Sequence, residues 1–308
     1  MGRYERLLDL LHRRQPDLEL RLQEPMEQHT TFRVGGPAAL MALPTTEEET
    51  LAAIQVAVSL DIWPLFVGNG SNLLVDDGGL DAFVIKTVPG LGSCTVSGLT
   101  LTGMSGVRLS RFAEEAGRQG LTGLEFAHGI PGSLGGGVVM NAGAYAGEMS
   151  HVISSVRAVD RSGAVRTVSG PACAFGYRHS VFSGGDCFVL SATVQLSRGN
   201  VEEIARKMRE LMERRRAKQP LEYASAGSTF KRPRGHFAAA LIEHCGLKGL
   251  SVGAAQVSEK HAGFVINRGG ASCQDILTLM EQVQERVYRE TGVVLEPEVR
   301  YWKQGGQT

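Results

Sequence analysis

Cysteine is scarce: Cys94, Cys173, Cys187, Cys245 and Cys273 are the only five in 308 residues, and none forms a C-x-x-C pair. The odd count and wide spacing exclude a disulfide framework and indicate buried free thiols in a reducing compartment. No apolar run approaches the ~18 residues that span a bilayer. The opening MGRYERLLDLLHRRQPDLEL is too charged for a signal peptide, so the expected location is cytoplasmic. A charge excess is also missing. Lys plus Arg number 32 and Asp plus Glu number 32, a formal net charge of zero. A general nucleic-acid binder would be basic, so neither a nucleic acid nor a membrane is an expected partner. There is no G-x-S-x-G elbow, which argues against a hydrolase of that type. His128, His151, His179, His236, His244 and His261 show no metal-ligand spacing with the cysteines, and no metal site is expected.

Glycine, by contrast, is abundant: 39 residues, close to twice the usual ~7%. The glycines cluster over 68–79, 129–147 and 163–185, without a collagen-like period. Such clusters mark tight turns or backbone that approaches something closely. Between them the chain alternates short helices and strands. Tyr4, Leu7, Leu8 and Leu11 predict a helix over 3–14. Thr45-x-x-Glu48 has the pattern of a capping box, opening a helix that runs to about Leu60. Strands separated by glycine turns follow to about 86. From 87 to 198 come a hairpin, a helix stopped by Gly120, a long glycine-rich segment and a second hairpin turning at Ser162-Gly163. Asn200 caps a long helix, Ser272-x-x-Asp275 opens another, and VVLEPEVRYW reads as the last strand. The pattern is α+β in three units, 1–86, 87–198 and 199–308.

Several segments carry candidate chemistry. FVGNGSNLLVDDGG follows a strand, and the backbone N–H groups of Asn69, Gly70, Ser71 and Asn72 can cradle a pyrophosphate. It is neither G-x-G-x-x-G nor a P-loop, and alone it also reads as an ordinary glycine hairpin. EFAHGIPGSLGGGVVMNAGAYAG is too rich in glycine and alanine to build a thick core. It suits a thin wall against a flat, anionic ligand, or else a tightly packed loop. The two segments together favour a phosphate-bearing cofactor. FGYRHSVF offers Arg178 as a carboxylate clamp, although a lone arginine is more often solvated surface. ERRRAKQP reads as a wet basic face completing a helix dipole. Glu296 and Glu298 fall on one face of the predicted final strand. SAGSTFKRP is compatible with a plain turn, which leaves Ser228 without an obvious purpose.

Taken in order, TTFRVGGPA, GNGSNLLV, GLEFAHGIPGSLGGGVVMNAGAYAGE, YRHSVF, AGSTFKRP, GLKGLSVGAAQVSEKHAGFVIN and LEPEVR closely resemble the UDP-N-acetylenolpyruvoylglucosamine reductase family, over roughly residues 20–302. Without a long inserted tyrosine-bearing loop, the chain resembles the shorter, type II form. The resemblance implies an α+β fold: a two-subdomain FAD-binding module of the vanillyl-alcohol-oxidase (PCMH) type over 1–86 and 87–198, then a C-terminal α+β substrate-binding domain over 199–308. It implies FAD as cofactor, NADPH as co-substrate and a UDP-sugar enolpyruvate as small-molecule substrate. The activity implied is the reduction that yields UDP-N-acetylmuramate for peptidoglycan, by a monomer or weak oligomer.

By the same resemblance, FAD contacts are expected from Arg33 and Gly35, from Gly68, Asn69, Gly70, Ser71 and Asn72, and from Gly129, Ile130, Pro131, Gly132, Ser133, Gly135, Gly136, Asn141 and Gly143. Tyr177, Lys218, Lys231 and Arg232 are expected at the substrate, and Arg178, Ser228 and Glu298 in catalysis. Arg232 replaces the family's usual asparagine, and Gly137 and Ala146 stand where alanine and glycine are usual. The residue types suit the chemistry. Charge developing at C2 of the enolpyruvyl group spreads into its carboxylate, which a guanidinium fork stabilises, and the carbanion then needs a proton that Ser228 can give. An FAD-dependent oxidase or dehydrogenase acting on an alcohol with the same scaffold, and a non-catalytic flavin or nucleotide binder, are the competing readings. Neither gives Arg178, Ser228 and Glu298 a task.

Overall fold

The computed structural model describes residues 2–304 and 306–307. The first third of the chain runs α1 (Arg3–Arg14), β1 (Leu20–Pro25), β2 (Pro37–Ala42), α2 (Glu47–Val58), β3 (Leu65–Val67), β4 (Leu73–Val75) and β5 (Leu80–Lys86). The middle runs β6 (Cys94–Ser97), β7 (Thr100–Met104), α3 (Leu109–Arg118), β8 (Leu121–Thr122), α4 (Leu134–Val139), β9 (Gly143–Ala144), β10 (Gly147–Glu148), β11 (Ile153–Asp160), β12 (Val165–Ser169), β13 (Cys187–Gln195) and β14 (Ser197–Arg198). The last third runs α5 (Val201–Lys218), α6 (Ala238–His244), β15 (Ser251–Val252), β16 (Ala255–Val257), β17 (Val265–Asn267), α7 (Cys273–Thr291), β18 (Arg300–Lys303) and β19 (Gly306–Gln307). Among the described residues no helix is long and apolar enough to cross a membrane.

Packing divides the chain into two compact units. The first takes the chain up to Leu22, Leu40–Asn69 and Ala82–Arg214; the second takes Gln23–Ala39, Gly70–Asp81 and the chain from Arg215 onward. The first unit has two apolar cores. In one, Leu7 and Leu11 of α1 and Ala53, Ile54 and Ala57 of α2 pack with Leu40, Phe83 and Ile85 of a four-stranded sheet ordered β1-β2-β5-β3. There β3 runs parallel to β5, with Val67 opposite Lys86. In the other, Phe112, Ala113 and Ala116 of α3 and Leu134 and Val138 of α4 pack with Leu101, Val156, Ala192 and Val194 of a five-stranded sheet, β12-β11-β13-β7-β6.

The second unit is built on α7, whose Ile276, Leu279, Met280, Val283 and Val287 are all buried. They meet Ala255, Val257 and Val265 of the β15-β16-β17 sheet. The helix starts where the sequence placed it: Ser272 Oγ accepts from Asp275 N at 3.0 Å, and the Asp275 carboxylate accepts from Ser272 N at 3.0 Å. Asp77 adds a second cap, accepting from Cys273 N at 2.7 Å and Gln274 N at 3.2 Å. These carboxylates satisfy N–H groups that a helix start leaves orphaned and complement its dipole. Asn200 caps α5 as expected, accepting from Glu203 N at 3.0 Å.

Three local expectations need correction. The cap of α2 is Thr46, one residue later than the Thr45 pattern suggested; its Oγ1 accepts from Glu49 N at 3.1 Å, while the Glu49 carboxylate accepts from Thr45 N at 2.6 Å. The helix ends at Val58, since Leu60 and Ile62 donate back to Ala57 in a tight turn. The final strand begins only at Arg300. Before it, Lys231 N donates to Glu296 O and Glu298 N donates to Thr229 O, both at 2.8 Å, around a single bridge between Phe230 and Pro297. That bridge is isolated and does not extend into a ladder. Finally, Cys94 and Cys187 are half-buried, while Cys173, Cys245 and Cys273 are buried; all five thiols are free. Burial pushes Cys173 up to about 11 and Cys273 up to about 12, so neither is a thiolate at neutral pH.

Candidate active site

In the first unit the two glycine segments meet. Gly68 and Asn69 follow β3, and residues 129–133 lead into α4. The Asn69 amide donates to the Pro131 carbonyl at 2.6 Å. A Cβ on Gly68 would sit 2.1 Å from Ser133 Oγ, so any larger residue forces the serine to move. Ser133 Oγ in turn accepts from Gly136 N at 3.3 Å. The stretch 105–109 runs alongside: Leu109 N donates to Gly132 O at 3.0 Å, Leu134 N to Val107 O at 2.8 Å and Gly135 N to Ser105 O at 2.8 Å. From the far side Lys86, only 7% exposed, donates from Nζ to the Gly68 carbonyl. Burial first, and then the like charge of Arg108, pull the Lys86 ammonium down to about 8. The result is a glycine-lined, cation-backed cradle whose chemistry suits a diphosphate. Gly129 and Ile130 form the turn before it, with Ile130 N on Ala127 O at 3.0 Å.

The same unit carries Asn141, Gly143, Tyr177 and Arg178. Asn141 is 1% exposed, and its side chain is fully engaged locally. Its Nδ2 donates to Glu148 Oε1 and to the Gly176 carbonyl, both at 3.1 Å, and its Oδ1 accepts from Ser150 N at 2.9 Å. It thereby fastens the turn Gly176–His179, which closes on itself with bonds of 3.0 and 3.2 Å. Tyr177 and Arg178 form the tip of that turn, with the guanidinium 5.1 Å from the Tyr177 ring centre. Arg178 has φ +54, a left-handed conformation that non-glycine residues hold at some cost. Ser180 and Ser183 anchor the next residues by donating to the Val139 carbonyl at 2.8 and 2.9 Å. Glu148 was not among the expected residues. The Ser150 hydroxyl at 2.5 Å, with help from Asn141, His151 and Arg178, holds its carboxyl below the usual range.

In the second unit Gly70 is buried at φ +65, and a Cβ there would lie 2.1 Å from the His29 carbonyl. Asn72 reaches the last candidate segment: its Nδ2 donates to Glu298 O at 3.1 Å, and its carbonyl accepts from Arg300 N at 2.9 Å. Residues 70–72, 229–231 and 298–300 therefore lie side by side. Ser228 sits at the edge of this cluster, exposed, after Gly227 at φ +77. Among the described residues its hydroxyl makes no hydrogen bond, whereas neighbouring Thr229 Oγ1 is committed to Val265 N at 2.9 Å. Lys231 pairs with Glu296 at 3.1 Å, and the Arg232 guanidinium lies 3.9 Å from the Phe237 ring centre. Lys218 is exposed at the end of α5. Arg33, at φ +56, and Gly35 line a cleft of ≈ 300 Å³ with Glu27, Gly36 and Asp77.

The catalytic candidates are thus divided, Arg178 in the first unit and Ser228 with Glu298 in the second. Lys86 and Glu148 escaped the sequence reading. The one signal for Lys86 was a lysine closing an apolar strand, AFVIK; for Glu148 there was none.

An FAD binding domain profile matches residues 38–169, so the class is that of an FAD-binding oxidoreductase fold, α+β and followed by a second α+β domain. The C-terminal domain profile of UDP-N-acetylenolpyruvoylglucosamine reductase matches residues 219–302. The chain is 45% identical over 297 residues to the UDP-N-acetylenolpyruvoylglucosamine reductase of Clostridioides difficile (strain 630), covering 96% of each chain. It is 50% identical over 279 residues to that of Clostridium botulinum (strain Hall), covering 91% of each. The crystal structure of the Thermus caldophilus enzyme superposes with a TM-score of 0.79 at 36% identity, covering 92% of this chain and 98% of that one. The chain belongs to the UDP-N-acetylenolpyruvoylglucosamine reductase family.

Proposed function

We propose that the protein reduces the enolpyruvyl ether of UDP-N-acetylglucosamine enolpyruvate to the lactyl ether of UDP-N-acetylmuramate, with NADPH as reductant, in the cytoplasm and as a monomer or weak oligomer. The family relationship over 96% of the chain supports the reaction. The observation that carries the residue assignment is Ser228: an exposed hydroxyl that makes no hydrogen bond among the described residues, beside a Thr229 whose N–H and hydroxyl are both committed, to Gly263 O and Val265 N. In the same proposal residues 1–86 and 87–198 serve FAD and 199–308 serve the substrate.

FAD fits the first unit's cradle, and Gly68, Asn69, Gly129–Gly136 and Gly143 would hold it there, with Arg33, Gly35, Gly70, Ser71 and Asn72 of the second unit as further contacts. Asn141 would act by fixing the loop, since its side chain is engaged. When bound, FAD supplies the hydride chemistry, and the protein supplies position and field. Arg178 receives the substrate carboxylate as a two-toothed donor, stabilising charge that develops there. Its left-handed backbone, locked by Asn141 through Gly176, fixes where the guanidinium starts. Ser228 gives its proton to C2, and a cation must steady the resulting alkoxide. Lys231 is already paired with Glu296, which favours Lys218 for that role. Glu298 orients the group being protonated. Arg232, braced on Phe237, meets the diphosphate of the substrate with Tyr177 and Lys231 as further contacts.

The test separates the half-reactions. Ser228→Ala leaves flavin reduction by NADPH fast and slows flavin oxidation by the enolpyruvyl substrate by about 10²–10⁴-fold, read by stopped-flow absorbance. Equal slowing of both half-reactions overturns the assignment.

A further inference from the structure

Lys86 has no task in the reaction just described, yet it is among the most unusual groups in the molecule. It ends β5, directly opposite Val67 of the parallel strand β3. Phe83 and Ile85 enter the apolar core, so the alternation of a strand puts Lys86 on the other face. There it is buried and donates to the Gly68 carbonyl. A buried ammonium is costly unless an opposite charge compensates it. Among the described residues no carboxylate forms an ion pair with it; the charged group that acts on it is Arg108, of the same sign.

The geometry of one peptide gives this charge a purpose. In a planar trans peptide the carbonyl oxygen and the following N–H point in opposite directions. Drawing the Gly68 oxygen toward Lys86 therefore aims the Asn69 N–H away from it. The turn has little freedom to rotate otherwise, because Gly68 abuts Ser133 and the Asn69 side chain is tied to Pro131 at 2.6 Å. We propose that Lys86 is a positioning residue for the cofactor: its ammonium holds the Gly68–Asn69 peptide so that the Asn69 N–H faces the FAD diphosphate, and its buried charge is the counter-charge to that diphosphate. This rests on the placement of the diphosphate at the cradle.

The inference predicts a proton linkage. Without the cofactor the Lys86 ammonium titrates at about 8. A diphosphate beside it raises that value, so above about pH 8 FAD binding takes up a proton and affinity falls as pH rises toward the ordinary lysine value of about 10.4. Below pH 8 both states are charged and affinity is flat. The experiment is equilibrium dialysis of the full-length holoenzyme against FAD, with free flavin read by fluorescence, across this pH range. The wild type should show the fall above pH 8. Lys86→Met should raise the Kd for FAD by roughly 10- to 100-fold at neutral pH, the scale of one charge-assisted hydrogen bond, and abolish the fall. Lys86→Arg, always charged, should restore most of the neutral-pH affinity and also lose the fall. A purely structural lysine would alter melting temperature but leave the pH dependence in place. Asn69→Ala controls the underlying placement and should weaken FAD binding by releasing the two loops. If Asn69→Ala weakens FAD binding while Lys86→Met keeps wild-type affinity and pH dependence, the role of Lys86 is overturned and the placement stands. If Asn69→Ala folds and binds FAD normally, the placement falls and the inference with it. Should Lys86→Met not fold, the arginine variant decides alone: a retained fall above pH 8 overturns the proposal.

Discussion

Two loops with similar composition behave as opposites. The Gly68–Asn69 turn and the 129–136 segment of the first unit are crowded at Gly68 and Gly135, where added Cβ atoms would lie 2.1 and 2.8 Å from neighbouring serines. The 227–237 stretch of the second unit buries Thr229 and Phe230 but is otherwise open. Gly227 and Gly235 have nothing within 4 Å of an added Cβ, and Ser228, Arg232, Arg234, His236 and Phe237 are all exposed. In the first loop glycine is required by a neighbour; in the second it is required by its own backbone, at φ +77 and +76. The difference suits the two tasks proposed for these loops. A cofactor held through many turnovers gains from a rigid, preorganised cradle. A substrate and a reductant that come and go require a loop with room to admit them.

The sharpest way to break this contrast is to place the same methyl group in each loop. Gly68→Ala drives the Cβ into Ser133 Oγ, so the serine must rotate and abandon its bond to Gly136 N. Overpacking and a lost cap together should cost about 2–4 kcal/mol, read by urea denaturation, with FAD retention falling in parallel. Adding Ser133→Ala removes the colliding oxygen, so the pair should cost less than the sum of the singles. Additive effects would show that the two loops are not in contact as described.

Gly227→Ala meets no neighbour. Its cost is the left-handed backbone alone, about 1–2 kcal/mol, and no second substitution nearby should relieve it. A cost as large as that of Gly68→Ala would erase the distinction between a crowded and an open glycine.

This contrast was invisible in the sequence, and the reason is physical. Sequence reports local preferences. Helix starts at Asn200 and Ser272, the glycine stop after α3 and the Ser162-Gly163 hairpin were legible because cap, period and turn lie within a few residues of one another. The two glycine-rich segments were legible as candidates for the same reason. What they touch was not. Asp77 capping α7 from 196 residues away, Lys86 beneath Gly68, and Asn141 fastening the Arg178 turn are all tertiary contacts. The misread final strand has the same cause: the alternation of VVLEPEVRYW is local, whereas the strand begins at Arg300 because that is where its partner, Leu73–Val75, lies alongside. Glu298 kept its candidacy because the family resemblance rests on the motif and not on its secondary structure.

The smallest effect tests another of the family departures. Ala146 stands where glycine is usual and holds φ +67, next to Tyr145 at φ +52. A left-handed alanine costs about 1–2 kcal/mol, while replacing it with glycine forfeits ~0.4–1 kcal/mol through the freer unfolded chain. Ala146→Gly should therefore stabilise the protein by roughly 0.5–1 kcal/mol, a rise of about 1–3 °C in the melting temperature of the holoenzyme. Because Ala146 is exposed, the substitution removes little packing, and strain is the dominant quantity that changes. A lower melting temperature would mean that the β9–β10 turn needs the stiffness of alanine more than it suffers from the strain. The 143–148 segment would then belong with the rigid cradle rather than with the loops that bend.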